Sequence, residues 1–303
     1  MQQLLGIVIV LVCVFGGILL FGGAWGTFWK PIELFIISGA ALGVIILGNP
    51  RYVLREMARQ VKHVMLHKKR GEEFQRQLLL LMYELLTMAG QGLKVLDTHV
   101  EFPYQSPLFK RYPLSLEEPK LLAFIVDNFR LMAMGKVSAH ELEGVLTQEI
   151  EALYIELKQP GSSLYRLGEA MPGFGILVAV QGIIMALGDF SDGVQTSEII
   201  GDIGAAMVGT FIGVFFCYGV FDPLSNMMHQ LVNQELAHFE SVKMVLVTHV
   251  SGKSPLLAID AGRRLVQLNI KPSFAQLEGW INELEGIDDK RINKGEHYVF
   301  SKE

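Results

Sequence analysis

Cysteine is scarce in this sequence. Its two copies, Cys13 and Cys217, both fall inside long apolar runs, so they read as small buried hydrophobes and a disulfide framework is not expected. An excess of basic charge is missing too. With 26 Lys and Arg against 31 Asp and Glu, the formal net charge is −5, and no global field draws the chain to nucleic acid. Charge is absent altogether from Met1 to Trp29, so the positive n-region of a cleaved secretory signal is lacking and this stretch reads as a retained span. Strand patterning, internal repeats and low-complexity tracts are also absent. Enzyme motifs are equally thin, with no phosphate-binding glycine loop, nucleophile elbow or cysteine pair. Intramembrane proteolysis would need polar catalytic residues inside the apolar runs, and they are not there. His63 and His67, four apart, could face one metal ion, but no third ligand accompanies them and a basic surface helix accounts for both. The expectation is a non-enzymatic protein with no cofactor and no metal.

What is present is apolar length. Half the residues are hydrophobic and the mean hydropathy is +0.35, high for a soluble chain of this size and too low for one that lies in a bilayer throughout. Four stretches reach the roughly 17 to 25 residues that a helix needs to cross a hydrocarbon core: about 4–21, 31–48, 170–188 and 203–221. None contains Lys or Arg, and Glu33 is their only acid. The expected fold is an all-α membrane protein, with four transmembrane helices and a large helical cytoplasmic domain.

The chain divides on this reading into a first transmembrane hairpin at 1–49, a cytoplasmic helical domain at 50–169, a second hairpin at 170–222 and a cytoplasmic helical tail at 223–303. Gly22, Gly23, Trp25, Gly26 and Trp29 make a short turn suited to the lipid interface. Arg51, Arg55, Arg59, Lys62, Lys68, Lys69 and Arg70 follow the second span, whereas the 189–202 connection carries Asp189, Asp192, Glu198 and Asp202 without a cation. By the positive-inside rule both termini and the 50–169 insert are cytoplasmic. Helical periodicity runs through 72–96 and 117–134, and again from Ser138 to Lys158, where Pro160 and Gly161 predict a stop. Pro103, Pro107, Pro113 and Pro119 predict a loop over 101–119. A long helix is expected from Leu224 to Val250, then a break at 251–255 and a final helical pair.

The most informative shortage lies in the two C-terminal spans, which carry no ionisable side chain at mid-membrane depth. Gln181 and Gly182 occupy one and Thr210 and Tyr218 the other. Intramembrane proton carriers normally need a carboxylate or imidazole, so if this chain conducts protons another polypeptide supplies the titrating group. Glu33, just after Pro31, reads as an interfacial carboxylate at a helix N-terminus. Small residues recur at Gly16, Gly17, Gly39, Gly43, Gly175, Ala179, Gly204, Gly209 and Gly213, spacing that lets helices approach closely within one subunit or between subunits. Pro172 and Pro223 mark helix ends or have a functional part. Asp97, Glu101, Glu117, Glu118, Glu149 and Glu151 form either a solvated face or a surface read by a charged partner.

WKPIELFIISGAALG at 29–43, MPGFGILVAVQGIIMALG at 171–188 and MVGTFIGVFFCYGVFDPL at 207–224 resemble the second, third and fourth spans of the MotA flagellar stator family. SPLLAIDAGRRL and KPSFAQLE, within 254–278, are similar to the tail of that family, so the resemblance covers nearly the whole chain. It implies an inner-membrane subunit that conducts protons and turns their flow into torque. It also implies a ring of five copies around two MotB-type partners, single-span peptidoglycan-binding subunits whose membrane helix carries the essential aspartate. Pro172 and Pro223 then shape the conducting interface. Ala179 stands where sodium-driven relatives carry threonine and Thr210 is retained, which favours protons as the transported ion. Rotor contact, to a switch protein of the FliG type, maps to Asp97 and Glu149. The family arginine falls on Gly90, with Lys94 nearby as a substitute, a departure that points to a second or lateral flagellar system. Two rival readings are an energiser of envelope transport of the ExbB or TolQ type, which the first hairpin argues against, and a non-conducting membrane scaffold.

Overall fold

Helix is the only regular structure among the described residues. The computed structural model describes residues 2–20, 22, 31–66, 71–134, 137–191 and 196–293. The Gly and Trp turn beyond Gly22, Lys68 to Arg70, and the 192–195 part of the acidic connection lie outside them. The chain forms two units, Met1–Lys68 with Ile155–Val232, and Lys69–Tyr154 with Asn233–Glu303.

The first unit begins with α1 (Gln2–Leu20) and α2 (Pro31–Gly48), both without basic residues. Pro31 opens α2 with its φ already set for a helix, and Glu33 in the first turn complements the helix dipole. Eighteen residues rise about 27 Å, close to the thickness of a hydrocarbon core. Next comes α3 (Arg51–Leu66), whose Val53, Met57, Gln60 and Val64 recur every three or four residues and are buried while Arg51, Arg55 and Arg59 stay outside. Hydrogen bonds from Gln60 Nε2 to the Leu157 carbonyl (2.9 Å) and from Ser163 Oγ to Asn49 Oδ1 (2.6 Å) fix the α2–α3 junction against the helix that follows Ile155.

That helix is α9 (Ala139–Ser191), and it departs from the sequence expectation. Instead of stopping before Pro160, it continues through Pro160 and Pro172. Each proline removes one i to i−4 bond and crowds a carbonyl, but tertiary contacts hold the register at these points. Gly161 packs on His229, its carbonyl accepts from Ser225 Oγ (2.9 Å), and Gly168 packs on Phe221. Pro172 therefore sits inside a helix, not at the start of one. The unit continues with α10 (Thr196–Phe216), a π-helical turn at Cys217–Phe221, and the first part of α11 (Asp222–Val250). Phe15 of α1 packs edge-on against Phe211 and Phe215 of α10. Ile37, Ala41, Leu164, Leu167, Met171, Val178, Val208 and Ile212 are core residues shared by these helices.

The second unit is built around α4 (Glu72–Gln91). Its Phe74, Leu78, Leu79, Leu81, Met82, Leu85 and Leu86 are all buried. The periodicity predicted one helix over 72–96, yet the chain breaks at Gly92 and restarts as α5 (Leu93–Glu101). Gly92 has φ +141°, a conformation that side chains rarely adopt, so the apolar pattern continues while the backbone does not. The expected loop over 101–119 holds two one-turn helices, α6 (Pro107–Lys110) and α7 (Pro113–Leu116), each opened by a proline at its first position. A buried carboxylate anchors this segment: Glu84 accepts from Arg111 and from the Tyr112 hydroxyl, while Gln77 Oε1 accepts from the Leu114 amide (3.2 Å).

The α8 helix (Pro119–Met134) buries Leu121, Leu122, Ile125 and Phe129, four of the five apolar residues its periodicity marks, while the fifth, Met132, is half-buried. A reciprocal cap starts α9: Ser138 Oγ accepts from the Glu141 amide (3.2 Å) and Glu141 Oε2 from the Ser138 amide (3.0 Å). The tail forms the predicted pair, α12 (Pro255–Arg263) and α13 (Phe274–Asn293). Asp260, buried in α12, accepts from Arg263 Nε (2.8 Å) and Arg264 Nε (2.9 Å), and Arg263 also donates to the Pro272 carbonyl (2.8 Å). The second helix of the pair meets α4 through Arg76, which lies over the Trp280 ring, and through the Tyr83 hydroxyl, which donates to Glu285 (2.6 Å). Burial, then the Glu285 carboxylate, pushes that phenol up to about 12.

Candidate functional site

In the first unit the C-terminal part of α9 and the helix α10 touch backbone to backbone. A β-carbon added at Gly175 would lie 2.5 Å from the Gly209 carbonyl oxygen and 2.9 Å from the Thr210 Cα. One at Gly182 would meet the Ala206 methyl at 2.6 Å. The recurring small residues on these two helices thus bring them together within one subunit, whereas Gly16, Gly17, Gly39, Gly43 and Gly204 have open space around them.

Two of the candidate site residues lie in this contact. Ala179 is buried there, and Thr210, half-buried, donates from Oγ1 to the Gly175 carbonyl (3.5 Å). Pro172, also half-buried, lies two turns from Ala179 and lines a cleft of about 260 Å³ with Tyr165, Gly168, Glu169, Cys217, Tyr218 and Asp222. Pro223 follows directly and is exposed. Between them runs the π-helical turn, in which the Asp222 amide donates to the Cys217 carbonyl five residues back. A proline at 223 cannot donate to the carbonyl four residues before it, and a widened turn there shifts the hydrogen-bond register.

The cleft combines two carboxylates with two phenols. A hydrogen bond to Glu169, then the charges of Glu169 and Asp222, push the Tyr165 phenol up. Sequence reading passed over Tyr165, although its spacing of four from Glu169 puts both on one helix face. Chemically the cleft is an acidic pocket at one end of a largely apolar helix pair.

The candidate rotor-contact residues lie in the second unit. Lys94 and Asp97 are on α5, and their side chains lie outside the described residues. Glu149 on α9 is half-buried; burial raises its pKa, opposed by a hydrogen bond to Asn128 and aided by the charge of Asp127. Gly90, Glu101, Glu117 and Glu151 are exposed, and Glu118 is half-buried. Glu33 is half-buried in the first turn of α2. His63 is half-buried and His67 lies outside the described residues, among which no group of three His, Cys, Asp or Glu could hold a metal.

Three helical stretches, Pro31–Gly48, Ala139–Gly188 and Ile199–Val250, are long and apolar enough to cross a membrane, and Leu5–Gly17 is a shorter apolar stretch. A family model for the N-terminal part of motility protein A matches residues 4–92, and one for the MotA/TolQ/ExbB proton channel family matches residues 118–241. Chemotaxis protein LafT of Vibrio parahaemolyticus is 50% identical over 288 residues, covering 94% of this chain and 100% of that protein. Motility protein A of Escherichia coli is 35% identical over 279 residues, covering 92% and 94%. The fold is similar to that in the solved structure of C. jejuni MotAB, with a TM-score of 0.69 at 16% identity over 88% of this chain and 96% of that one. It is also similar to that in the MotAB stator complex of Bacillus subtilis, with a TM-score of 0.66 at 22% identity over 91% and 97%. Alignment over nearly its full length with relatives at 50% and 35% identity makes this chain a member of the MotA family of motility proteins.

Proposed function

We propose that this chain is a flagellar motor stator subunit that, with a MotB-type partner, conducts protons across the inner membrane and converts their flow into torque on the rotor. It is a membrane protein of motility, not an enzyme. The observation that carries the reading is the helix pair of α9 and α10. It is closed by glycine contacts and contains no acidic or basic residue between Glu169 and Asp189 or between Asp202 and Asp222. Such a pair is a wall for conduction and not itself a carrier, so the titrating carboxyl belongs to the partner's membrane helix.

In this reading the chain spans the inner membrane four times with both termini cytoplasmic, and five copies surround two partners. Pro172, Ala179, Thr210 and Pro223 form the ion pathway and partner-helix interface, with membrane lipid on the outer faces. Protons are the transported ion. A dehydrated sodium ion needs fixed oxygen ligands, and Ala179 offers no hydroxyl. Asp97, Glu149 and Lys94 meet a rotor switch protein of the FliG type, and Gly90 in place of the family arginine favours a second or lateral flagellar system.

Deleting the gene and complementing it with the wild-type chain, Pro172→Leu or Asp97→Lys tests the reading. Paralysed cells with intact filaments, rescued by the wild type and not by the variants, support it. Motility unaffected by the deletion removes it.

A further inference from the structure

One face of α3 carries four cations in a row: Arg51, Arg55, Arg59 and Lys62 are all exposed. At about 100° per residue they fall within an arc of about 80°, opposite the buried Val53, Met57, Gln60 and Val64. Tyr52 and Met65 are exposed on either side of that arc. Arg59 is paired with Glu56 (2.6 Å), whereas among the described residues Arg51, Arg55 and Lys62 have no acid within ion-pair distance. Hydrogen bonds to α9 show how the helix lies. The Tyr52 hydroxyl donates to Gln159 Oε1 (3.2 Å) and Gln60 Nε2 to the Leu157 carbonyl (2.9 Å). From Tyr52 to Gln60 α3 advances about 12 Å along its axis, while its contacts on α9 move only about 3 Å, so α3 crosses α9 and does not run alongside it. Because α9 rises from there into the 170–188 span, a helix that crosses it at the foot of α2 lies along the bilayer surface.

From this we infer that the basic stripe of α3 binds the phosphate groups of anionic phospholipids in the leaflet where α2 ends. The inference goes beyond the stator reading and needs only that α2 crosses the membrane. The chemistry selects the occupant. A guanidinium meets a phosphodiester in a two-point fork, and three of the four cations are arginines. The stripe begins three residues after Gly48, the last residue of α2, which keeps its first cations within reach of the headgroups. Anionic lipid gives a membrane surface a negative potential that attracts cations placed just outside a span. An acidic protein surface would meet the same charges, but the exposed Tyr52 and Met65 beside them suit the boundary between headgroups and chains. Held by lipid on one face and by the Leu157 carbonyl on the other, α3 would set the depth of α9 in the membrane.

The test uses the full chain, purified in neutral detergent with any polypeptide that copurifies. It is titrated with dioctanoylphosphatidylglycerol, with dioctanoylphosphatidylcholine and with inorganic phosphate, and the rise in melting temperature reads binding. Stabilisation by the anionic lipid alone is expected. Arg51→Gln combined with Arg55→Gln should weaken that binding roughly thirty-fold, which is about five-fold for each cation near a membrane surface. Arg51→Lys with Arg55→Lys keeps the charge that orients α2 and should lose much less. Lys110→Gln with Lys253→Gln, which removes exposed cations of the second unit, should change nothing. Equal responses to the two lipids, or an equal response to phosphate, overturn the inference, as does wild-type affinity in the Gln pair. A thiol-to-amine cross-linker on Arg55→Cys that captures a second polypeptide in native membranes, above the background from Cys13 and Cys217, puts a protein on this face and overturns it as well. A deletion strain that swims normally removes the stator reading and leaves this one standing.

Discussion

Gly213 and Met171 meet backbone to backbone: a β-carbon at Gly213 would stand 2.5 Å from the Met171 carbonyl oxygen. Neither side can yield without moving a helix, because the obstructing atom is main chain. Gly213→Ala and Gly175→Ala are therefore expected to destabilise the purified protein by about 2 kcal/mol or more. Gly144→Ala, at an exposed helical position with nothing within 4 Å, should stabilise it by roughly 1 kcal/mol. Thermal unfolding in detergent separates the two classes, and equal effects in both would refute the packing argument.

Glu84 holds the Pro-rich segment through Arg111 and Tyr112, with only 5% of its surface exposed. Removing a buried carboxylate strands both donors. Arg111 reaches solvent in part, so the loss from Glu84→Ala should be about 2–3 kcal/mol, below that of a fully buried pair. Amide hydrogen exchange should accelerate across residues 106–118 first. Unchanged exchange there would show that the segment is held by other means.

His99 is buried beside Ser106, with Nδ1 and Oγ 2.8 Å apart. Burial, then the positive charge of Arg111, hold its pKa below the ordinary histidine value. As pH falls through about 6.5 the unfolded chain takes up this proton before the folded one, so His99 contributes stability above that pH and loses it below. His249, also lowered by burial, acts in the same direction. Melting temperature should drop between pH 7.5 and 5.5, and His99→Gln should flatten the decline.

Asp260 titrates in a different window. Burial alone would raise its pKa, but hydrogen bonds and charge from Arg263 and Arg264 outweigh that and lower it. Its contribution is present above the ordinary aspartate range, near 3.9, and fades as pH falls through and below it. Asp260→Asn should cost roughly 2 kcal/mol at pH 7, with the gap to wild type constant from pH 5 to 8 and narrowing only below about 4. A gap already closing at pH 6 would assign the effect to another group.

Much of this architecture is written in local pattern. The 31–48 run is charge-free apart from Glu33 and became α2 with the expected bounds, and the spacing of Leu121, Leu122, Ile125 and Phe129 marked a buried face correctly. What escaped reading depends on atoms distant in sequence. Pro160 predicted a stop and Pro172 a helix start because local rules count the lost hydrogen bond, while His229, Phe221 and Ser225 supply the contacts that keep the helix going. Gly92 looked like one more residue in an apolar helical period, and nothing nearby announces its φ of +141°. At the candidate site Thr210 was legible by type, but its acceptor, 35 residues away, was not. Glu84 resembled any polar position on a helix until Arg111 and Tyr112 closed over it.

The backbone contact between α9 and α10 has a consequence for how such a subunit can change over evolutionary time. Main-chain atoms have no rotamers, so the gap between these helices is set by geometry that ordinary substitutions on their outer faces do not touch. Those faces are free to be rewritten for another cation, companion helix or lipid while the gauge of the wall stays constant.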